Sequence, residues 1–236
     1  IPGSLAINKD HPNNKKVVGS TVNNIATDQL GNIALTARNE ADSNAIAGSL
    51  GIAANPLNSN PSQGSSTPSV AATLGFSVAV NDLSTETSTA ITNSKLRENT
   101  SLNNTPTVTL TSSTDGMNST AVSISASGSG TGGTSQGSVG SYAIAGAGAG
   151  AQNTLTSPVR AQIKNTSITP LSEGEASTTD VTLLAKAGEE VLSITGGVSL
   201  AIALAGSGQT GTAGALSVGV SASNNEIDGD ISATVD

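Results

Sequence analysis

The residues of this chain that could carry out acid–base or nucleophilic chemistry are few and lie in polar segments. A nucleophilic triad needs a histidine or an equivalent base, and the single histidine is His11, in a polar loop. Glycoside hydrolysis needs two carboxylates across a cleft, and the closest pairs are Glu173 with Glu175 and Glu189 with Glu190. No aromatic residues accompany these pairs, although sugar clefts usually contain them. We therefore expect no catalytic residues and no enzymatic activity.

The best candidate for a metal site is the acidic segment that runs from Asn224 to Asp230. Calcium needs several oxygen ligands within one loop, and this segment offers Glu226 and Asp228 beside Gly229. Its spacing matches neither the EF-hand loop nor the glycine-rich nonapeptide of calcium-binding β-rolls. The chain has no cysteine, so it has no thiolate ligand either. The sequence therefore predicts no metal and no cofactor.

The composition of the chain limits the partners that it can bind. Aromatic residues make up 1%, and 17 acidic residues against 9 basic ones give a net charge of −8. Stacking platforms for nucleic acids rely on aromatic residues, and an acidic surface repels phosphate. Residues 191–225 carry no charge, but glycines interrupt them and their aliphatic residues alternate with small ones, unlike a membrane-spanning helix. We therefore expect no nucleic-acid partner and no insertion into a membrane.

Strand-like segments that would position any site recur along the chain at near-constant intervals. The apolar residues in each segment alternate with small or polar ones, which is the period of a half-buried strand. A strand that returns at a near-constant interval, here roughly 73 residues, indicates a repeat architecture. Three columns of equivalent residues are predicted to form the core: Ile33, Val108 and Val181; Leu35, Leu110 and Leu183; and Val22, Leu96 and Ile168.

Two further rows recur in the same order, and the loops between the rows vary in length at the same places. These rows are residues 43–47, 119–123 and 192–195, and residues 5–8, 78–81 and 218–221. The loops are rich in Gly, Ser, Asn and Pro, as turns are. We interpret residues 1–236 as a single domain with approximate repeats 1–30 (partial), 31–105, 106–178 and 179–236 (partial).

The alternating strands present one face of large aliphatic residues and one face of Ala, Gly and Ser. The large face, which includes Val198, Leu200, Ile202 and Leu204, is expected to stack on its own copies and form the core. The small face is expected to lie outside, either exposed or packed closely against a neighbouring sheet or molecule. The predicted lateral contact face consists of Ala201, Ala203 and Ala205.

Three positions are predicted to form bends. Asn93 and Asn165 align with Gly19, and Asn and Gly are the residues that best accept a left-handed backbone. We therefore expect a bend at each of these positions, with a stacked ladder of Asn amides as a secondary contribution.

Three short motifs carry a resemblance to a known group of proteins. They are V-x-V-N at residues 78–81, A-x-I-x-N-[ST] at residues 161–166 and V-x-L at residues 181–183. With these motifs the chain resembles the repeat regions of large secreted bacterial surface proteins, namely filamentous-haemagglutinin-like adhesins and autotransporter passengers. The resemblance implies a parallel β-helix, export, and a stalk or fibre role in attachment or matrix building. It implies no catalytic residues.

The sequence thus predicts an all-β fold, a parallel β-helix (β-solenoid) of about three repeats of roughly 73 residues, with two or three coils in each repeat. The expected function is that of a structural, non-enzymatic stalk or filament segment, secreted or at the bacterial cell surface. The expected partners are other copies in fibres, a continuation of the same solenoid in a longer chain, and glycans on a host or cell surface.

Three other classes of protein stay open. A carbohydrate-binding or carbohydrate-cleaving β-helix of the tail-spike type needs an acidic groove with aromatic residues. An ice-binding solenoid needs regular outward ranks of threonine, and Thr107, Thr109 and Thr111 supply one short rank. A disordered, low-complexity stalk is the third class.

Overall fold

The computed structural model describes residues 3–9, 16–55, 69–98, 105–132, 140–170, 176–204 and 212–236. Within these ranges the chain is all-β, with strands paired in parallel and no helix. The strands are β1 (Gly3–Lys9), β2 (Lys16–Asn23), β3 (Ala26–Leu30), β4 (Ile33–Asn39), β5 (Asp42–Asn55), β6 (Ser69–Thr92), β7 (Lys95–Glu98), β8 (Thr107–Gly132), β9 (Gly140–Thr156), β10 (Val159–Lys164), β11 (Ser167–Thr169), β12 (Asp180–Leu204), β13 (Thr212–Asp228) and β14 (Ile231–Val235).

Each strand pairs in parallel with strands that lie roughly 73 residues before or after it in the sequence. Lys9 pairs with Asp82 and Thr107 pairs with Asp180, and the separation in sequence is the same for both pairs. We call β1–β3 layer 1, β4–β7 layer 2, β8–β11 layer 3 and β12–β14 layer 4. The prediction of two or three coils in each sequence interval is wrong, because the directly hydrogen-bonded neighbour lies one full interval away.

Equivalent strands of successive layers form four sheets. Sheet 1 contains β1, residues 69–84 of β6, β9 and β13, and sheet 2 contains β2, residues 85–92 of β6, β10 and β14. Sheet 3 contains β3, β7 and β11, and sheet 4 contains β4, β5, β8 and β12. Because β6 runs through both, sheets 1 and 2 form one curled seven-stranded sheet.

Large aliphatic residues fill the interior where sheets 2 and 3 meet the beginning of sheet 4. Three sheets enclose this space, and only large side chains can fill it at native packing density. We call this region the aliphatic end. Its buried residues are Leu30, Ile91, Leu96, Val108, Leu110, Ala161 and Ile163, with Val22, Ile33, Leu35, Ile168 and Leu183 packed against them.

In the rest of the structure, β5 and the later halves of β8 and β12 pack directly on sheet 1. A Cβ atom added to Gly75 would lie 2.9 Å from the carbonyl oxygen of Ala126, and one added to Gly197 would lie 2.8 Å from that of Val220. The two sheets therefore lie closer together than the usual spacing of about 10 Å. We call this two-sheet region the lamella, and its buried apolar residues include Ala45, Ala47, Ala79, Ala121 and Ala151.

Two of the three predicted core columns are paired neighbours in sheet 4, on strands that enter the aliphatic end. They are the column of Ile33, Val108 and Val181 and the column of Leu35, Leu110 and Leu183. Val108 and Leu110, in the middle of the two columns, are fully buried, whereas Val181 is 41% exposed.

The third predicted column is wrong in one member. Leu96 pairs with Ile168, but its neighbour in layer 1 is Thr27, whereas Val22 pairs with Ile91. The pairing shifts between β1 and β2, since the register that joins Lys9 to Asp82 does not continue into β2. Layer 1 contains four more residues at this point than layer 2, so a constant interval misaligns the strands that follow.

The predicted bend at Gly19 is wrong because of the same four additional residues in layer 1. Gly19 lies within β2 and pairs with Ser88. Among the described residues, the non-glycine residues with a left-handed backbone are Asn24 (φ 57°), Asn93 (φ 51°) and Asn165 (φ 48°). The Asn93 amide group donates to Oδ1 of Asn23 at 3.3 Å, and the Asn165 amide group donates to Oδ1 of Asn93 at 3.4 Å. Asparagine therefore turns the chain at the same corner in three layers.

Candidate functional surfaces

The outer surfaces of the lamella are covered by large aliphatic side chains, which is the reverse of the predicted arrangement. Leu200 is 59% exposed, whereas Ala201 pairs with Ser129, which faces the interior and is 5% exposed. Ala203 likewise pairs with the buried Thr131. The predicted lateral contact face is therefore wrong, because Ala201 and Ala203 point inward; Ala205 lies outside the described residues.

The predicted core role of the residues that alternate with these alanines is wrong for the same reason. Close sheet spacing admits only small side chains between the sheets, so the large ones point outward. They are Val198, Leu200, Ile202 and Leu204.

Two opposite faces result, and both are broad and apolar. Face 1 is the outer face of sheet 1, and its exposed residues are Leu5, Ile7, Val70, Leu74, Phe76, Val78, Tyr142, Ile144, Leu216, Val218 and Val220. Face 4 is the outer face of sheet 4 in the lamella, and its exposed residues are Ile46, Leu50, Ile52, Ile124, Leu192, Ile194, Val198, Leu200, Ile202 and Leu204. Broad, contiguous apolar patches on a protein surface mark sites of interaction with another molecule.

The stretches that form most of the lamella carry no charged residue. Residues 43–81, 116–159 and 191–225 contain no Asp, Glu, Lys or Arg. Only the last of these stretches was noted from the sequence, although the other two can be read in the same way. A partner for the apolar part of either face must therefore be matched by shape and apolar contact, since these three stretches offer no ionic group.

Face 4 carries an open groove along β8. Its floor consists of small residues, Ala126, Gly128 and Gly130, and its rims are the aliphatic residues of β5 and β12 that pair with this stretch. No atom of the described residues lies within 4 Å of the position that a Cβ on Gly130 would take. Among these residues, the space above the floor is therefore free.

On face 1 the equivalent groove is already filled. Gly146 and Gly148 of β9 form its floor, but a Cβ on Gly146 would lie 2.6 Å from Cδ2 of Leu74. A Cβ on Gly148 would lie 2.8 Å from Cδ1 of Phe76. Side chains of layer 2 therefore lie over the glycines of layer 3, and face 1 is smoother than face 4.

A ladder of asparagines, of which Asn81 and Asn153 are buried, joins the layers at the border between the lamella and the rest of the fold. Nδ2 of Asn81 donates to Oδ1 of Asn153 at 3.0 Å, and Nδ2 of Asn153 donates to Oδ1 of Asn225 at 3.0 Å. The same amide of Asn153 donates to the carbonyl oxygen of Leu192 at 2.8 Å, across the two sheets. The predicted alignment of Asn81 with Ser221 is therefore wrong. The three asparagines are equally spaced in the sequence, and this spacing was the signal that could have revealed the ladder.

Serine hydroxyl groups link the two sheets elsewhere in the lamella. Oγ of Ser77 lies 2.7 Å from Oγ of Ser123, and Ser141 donates to the carbonyl oxygen of Leu204 at 2.9 Å. These short bonds span the gap directly, which again requires the sheets to lie close together.

Glu98 is a buried carboxylate at the end of β7. It accepts hydrogen bonds from the backbone N–H of Thr178 at 3.0 Å and of Thr179 at 2.8 Å, and from the hydroxyl groups of Ser177 and Thr179. Burial raises the pKa of Glu98, but these four donors outweigh burial and lower it to about 2. Glu98 of layer 2 therefore fixes the chain as it enters layer 4, a role that was missed from the sequence.

Ion pairs of alternating sign join the layers outside the lamella. Arg160 of layer 3 lies 3.5 Å from Glu86 of layer 2 and 3.2 Å from Asp230 of layer 4. Asp115 of layer 3 lies 3.5 Å from Arg38 of layer 2 and 3.4 Å from Lys186 of layer 4. Asp230, a member of the candidate calcium segment, is therefore engaged by Arg160.

Of the other residues considered for catalysis, the structure describes Glu189 and Glu190. His11, Glu173 and Glu175 lie outside the described residues. Glu189 pairs with the buried Met117 and faces inward, where burial raises its pKa, whereas Glu190 is exposed. Across the described ranges, no group of three or more His, Cys, Asp or Glu residues could hold a metal ion.

A shallow depression of about 460 Å³ lies on face 1 around Tyr142, between Val70 and Leu216. Its lining is apolar apart from the tyrosine hydroxyl group, so it offers little to orient a polar ligand. The described residues contain no helix that could cross a lipid bilayer. Comparison of the chain with protein-family models, curated proteins and solved structures found no match.

Proposed function

We propose that this chain is a non-enzymatic structural segment, a parallel β-helix with one coil for about 73 residues. In this proposal it serves as a secreted or cell-surface stalk or filament of a bacterial adhesin or biofilm matrix protein. The observation that carries the proposal is the parallel pairing of each layer with the next, which continues through all four layers in sheet 1. A stack of this kind can be lengthened without changing its cross-section.

The direction of the backbone hydrogen bonds supports a mechanical role. The bonds run from layer to layer, so a load along the stack is shared by every strand of a layer. The ladder of Asn81, Asn153 and Asn225 and the ion pairs of Arg160 and Asp115 add connections in the same direction. Within the described ranges, the outer strands of layers 1 and 4 pair on one side only, and their other edges can accept further coils from another copy or from a longer chain.

The geometry gives less support to the alternative functions. In sheet 4 the outward Thr109 pairs with Ala34 and Thr182, and the outward Thr111 pairs with Thr36 and Leu184. Threonine therefore does not form the regular ranks that an ice-binding surface needs. The two aromatic residues, Phe76 and Tyr142, lie on face 1 at least six residues along the strands from Asp82 and Glu226, the acidic residues at the far end of sheet 1. They therefore do not form the acidic, aromatic groove that a glycan site of the tail-spike type needs.

Stretching single molecules between their two ends tests the mechanical proposal. Coils of about 73 residues should peel off in turn and release steps of about 26 nm, since an extended residue spans at most about 3.6 Å. Release of the whole chain in one step would contradict a stack of separable coils. Negative-stain images of concentrated protein test filament formation, for which we expect fibres of constant width. Discrete compact particles at every concentration would contradict it.

A further inference from the structure

The groove on face 4 is as wide as a ridge of side chains on the same face, so a ridge from another copy can fill it. The groove is one strand wide, with Ala126, Gly128 and Gly130 of β8 as its floor. The ridge consists of the outward aliphatic residues of β12, which is the neighbouring strand at a spacing of about 4.8 Å. The ridge residues are Val198, Leu200, Ile202 and Leu204.

We propose that face 4 is a self-docking surface on which a second copy of this chain inserts its β12 ridge into the β8 groove. A two-fold axis parallel to the strands, midway between β8 and β12, exchanges the two features. Because the axis runs along the strands, each ridge residue keeps its position along the strand. Val198 pairs with Ala126, Leu200 with Gly128 and Ile202 with Gly130 within one copy. In the dimer, Leu200 of one copy therefore lies over Gly128 of the other, and Ile202 lies over Gly130.

The chemistry of the face selects this occupant. Residues 116–159 and 191–225, which include both the floor and the ridge, carry no charge, so a peptide or lipid headgroup that relies on ionic contacts finds no counterpart. A second copy brings an apolar ridge of the same spacing, and each ridge residue meets a small floor residue. The interface is isologous and closes at two copies.

The area of this contact sets its strength. The matched stretch is about seven residues long, from Val198 to Leu204 on the ridge. Two strands of this length cover roughly 220 Å² in projection, and side-chain relief raises this to about 300 Å² on each copy. The total of about 600 Å² is in the range of weak, transient contacts. We therefore expect a weak dimer that is populated at hundreds of micromolar and dissociates on dilution into the low micromolar range.

Sedimentation and disulfide trapping test the proposal on the intact chain, which contains no cysteine. Gly130→Cys fits the monomer, since no described residue has an atom within 4 Å of its Cβ position. We expect a mixture of the Gly130→Cys and Ile202→Cys chains to form a disulfide between copies. A mixture of Gly130→Cys with Val220→Cys, a residue of the same layer as Ile202 on face 1, should not cross-link.

Charge substitutions give the second readout. Leu200→Lys should raise the dimer dissociation constant at least tenfold. Val220→Lys on face 1 should leave it unchanged, and it is a matched control because Val220 is 60% exposed and Leu200 is 59% exposed. Circular dichroism should show both variants folded, because both side chains point outward. A wild-type chain that stays monomeric at high micromolar concentration would overturn the proposal, and so would cross-linking to Val220→Cys. Stepwise peeling of a single molecule does not depend on a second copy, so failure here would leave the mechanical proposal standing.

Discussion

The aliphatic end and the lamella are built from the same strands, yet they place large side chains on opposite faces. Leu110, near the start of β8, is fully buried, whereas Ile124, further along the same strand, points outward. At the aliphatic end three sheets surround a wide interior that large residues fill. In the lamella two sheets nearly touch, and Ala, Ser and Gly fill the gap.

The contrast between the two regions shows that alternation alone does not identify the inside of a strand. A period of two residues separates the faces but does not say which one is buried. The distance to the opposite sheet makes that choice, and the two regions differ in this distance. Substitutions that are matched between the regions can therefore test whether this distance differs as described.

The largest effect is expected from truncating leucine in the two regions. Leu110→Ala removes a fully buried side chain from the aliphatic end and should lower the free energy of unfolding by about 3 kcal/mol. Leu216→Ala, at 57% exposure on face 1, should change it by less than about 0.5 kcal/mol. Urea denaturation of both variants measures the difference. Equal losses would mean that the leucines of the lamella are buried after all.

The second-largest loss of stability is expected from a substitution in the asparagine ladders. Asn153→Ala removes bonds to Asn81, Asn225 and the carbonyl oxygen of Leu192, and should cost about 2.5 kcal/mol. Asn165→Gly removes an exposed amide at a left-handed corner that glycine also accepts, and should cost less than about 0.5 kcal/mol. Thermal denaturation ranks the two variants. A corner substitution as costly as the buried one would contradict the assigned difference between the ladders.

Enlarging a glycine tests the spacing of the lamella directly. Gly75→Ala brings a Cβ to 2.9 Å from the backbone oxygen of Ala126, which cannot move aside cheaply, and should cost about 2 kcal/mol. Gly130→Ala places the same atom in open space and should be close to neutral. Guanidinium denaturation compares them. If Gly75→Ala were as stable as Gly130→Ala, the sheets would lie further apart than described.

The smallest effect concerns the acid stability that Glu98 gives to the aliphatic end. The pKa of Glu98 is lowered from its usual 4.5 to about 2 in the folded protein. The carboxylate therefore stabilises the fold fully above pH 4.5, and this contribution is lost as the pH falls towards 2. Glu98→Gln should cost about 1.5 kcal/mol at neutral pH and should flatten the dependence of melting temperature on pH between 4.5 and 2. The exposed Glu190→Gln is the control, and a pH profile unchanged in Glu98→Gln would contradict the assignment.

Much of the all-β, parallel architecture could be predicted from the sequence because rows such as Ile33, Val108 and Val181 recur at a near-constant interval. Two features could not be read in this way. The four additional residues between β1 and β2 shift the phase of layer 1, so Val22 and Gly19 were assigned to the wrong neighbours. The orientation of the lamella depends on the distance between sheets, which neither Leu200 nor Ala201 reveals alone. Glu98 was missed because its donors lie about 80 residues away.

The alternating ion pairs affect how a repetitive chain avoids misfolding. In such a chain a strand can pair with the equivalent strand of the wrong layer. If layer 3 were skipped, Arg38 would lie beside Lys186, since both pair with Ser113, and Glu86 would lie beside Asp230. Like charges would meet at both places, whereas the native order sets opposite charges side by side. The order of the layers is thus encoded in the sign of a few side chains, which disfavours a pairing that skips a layer.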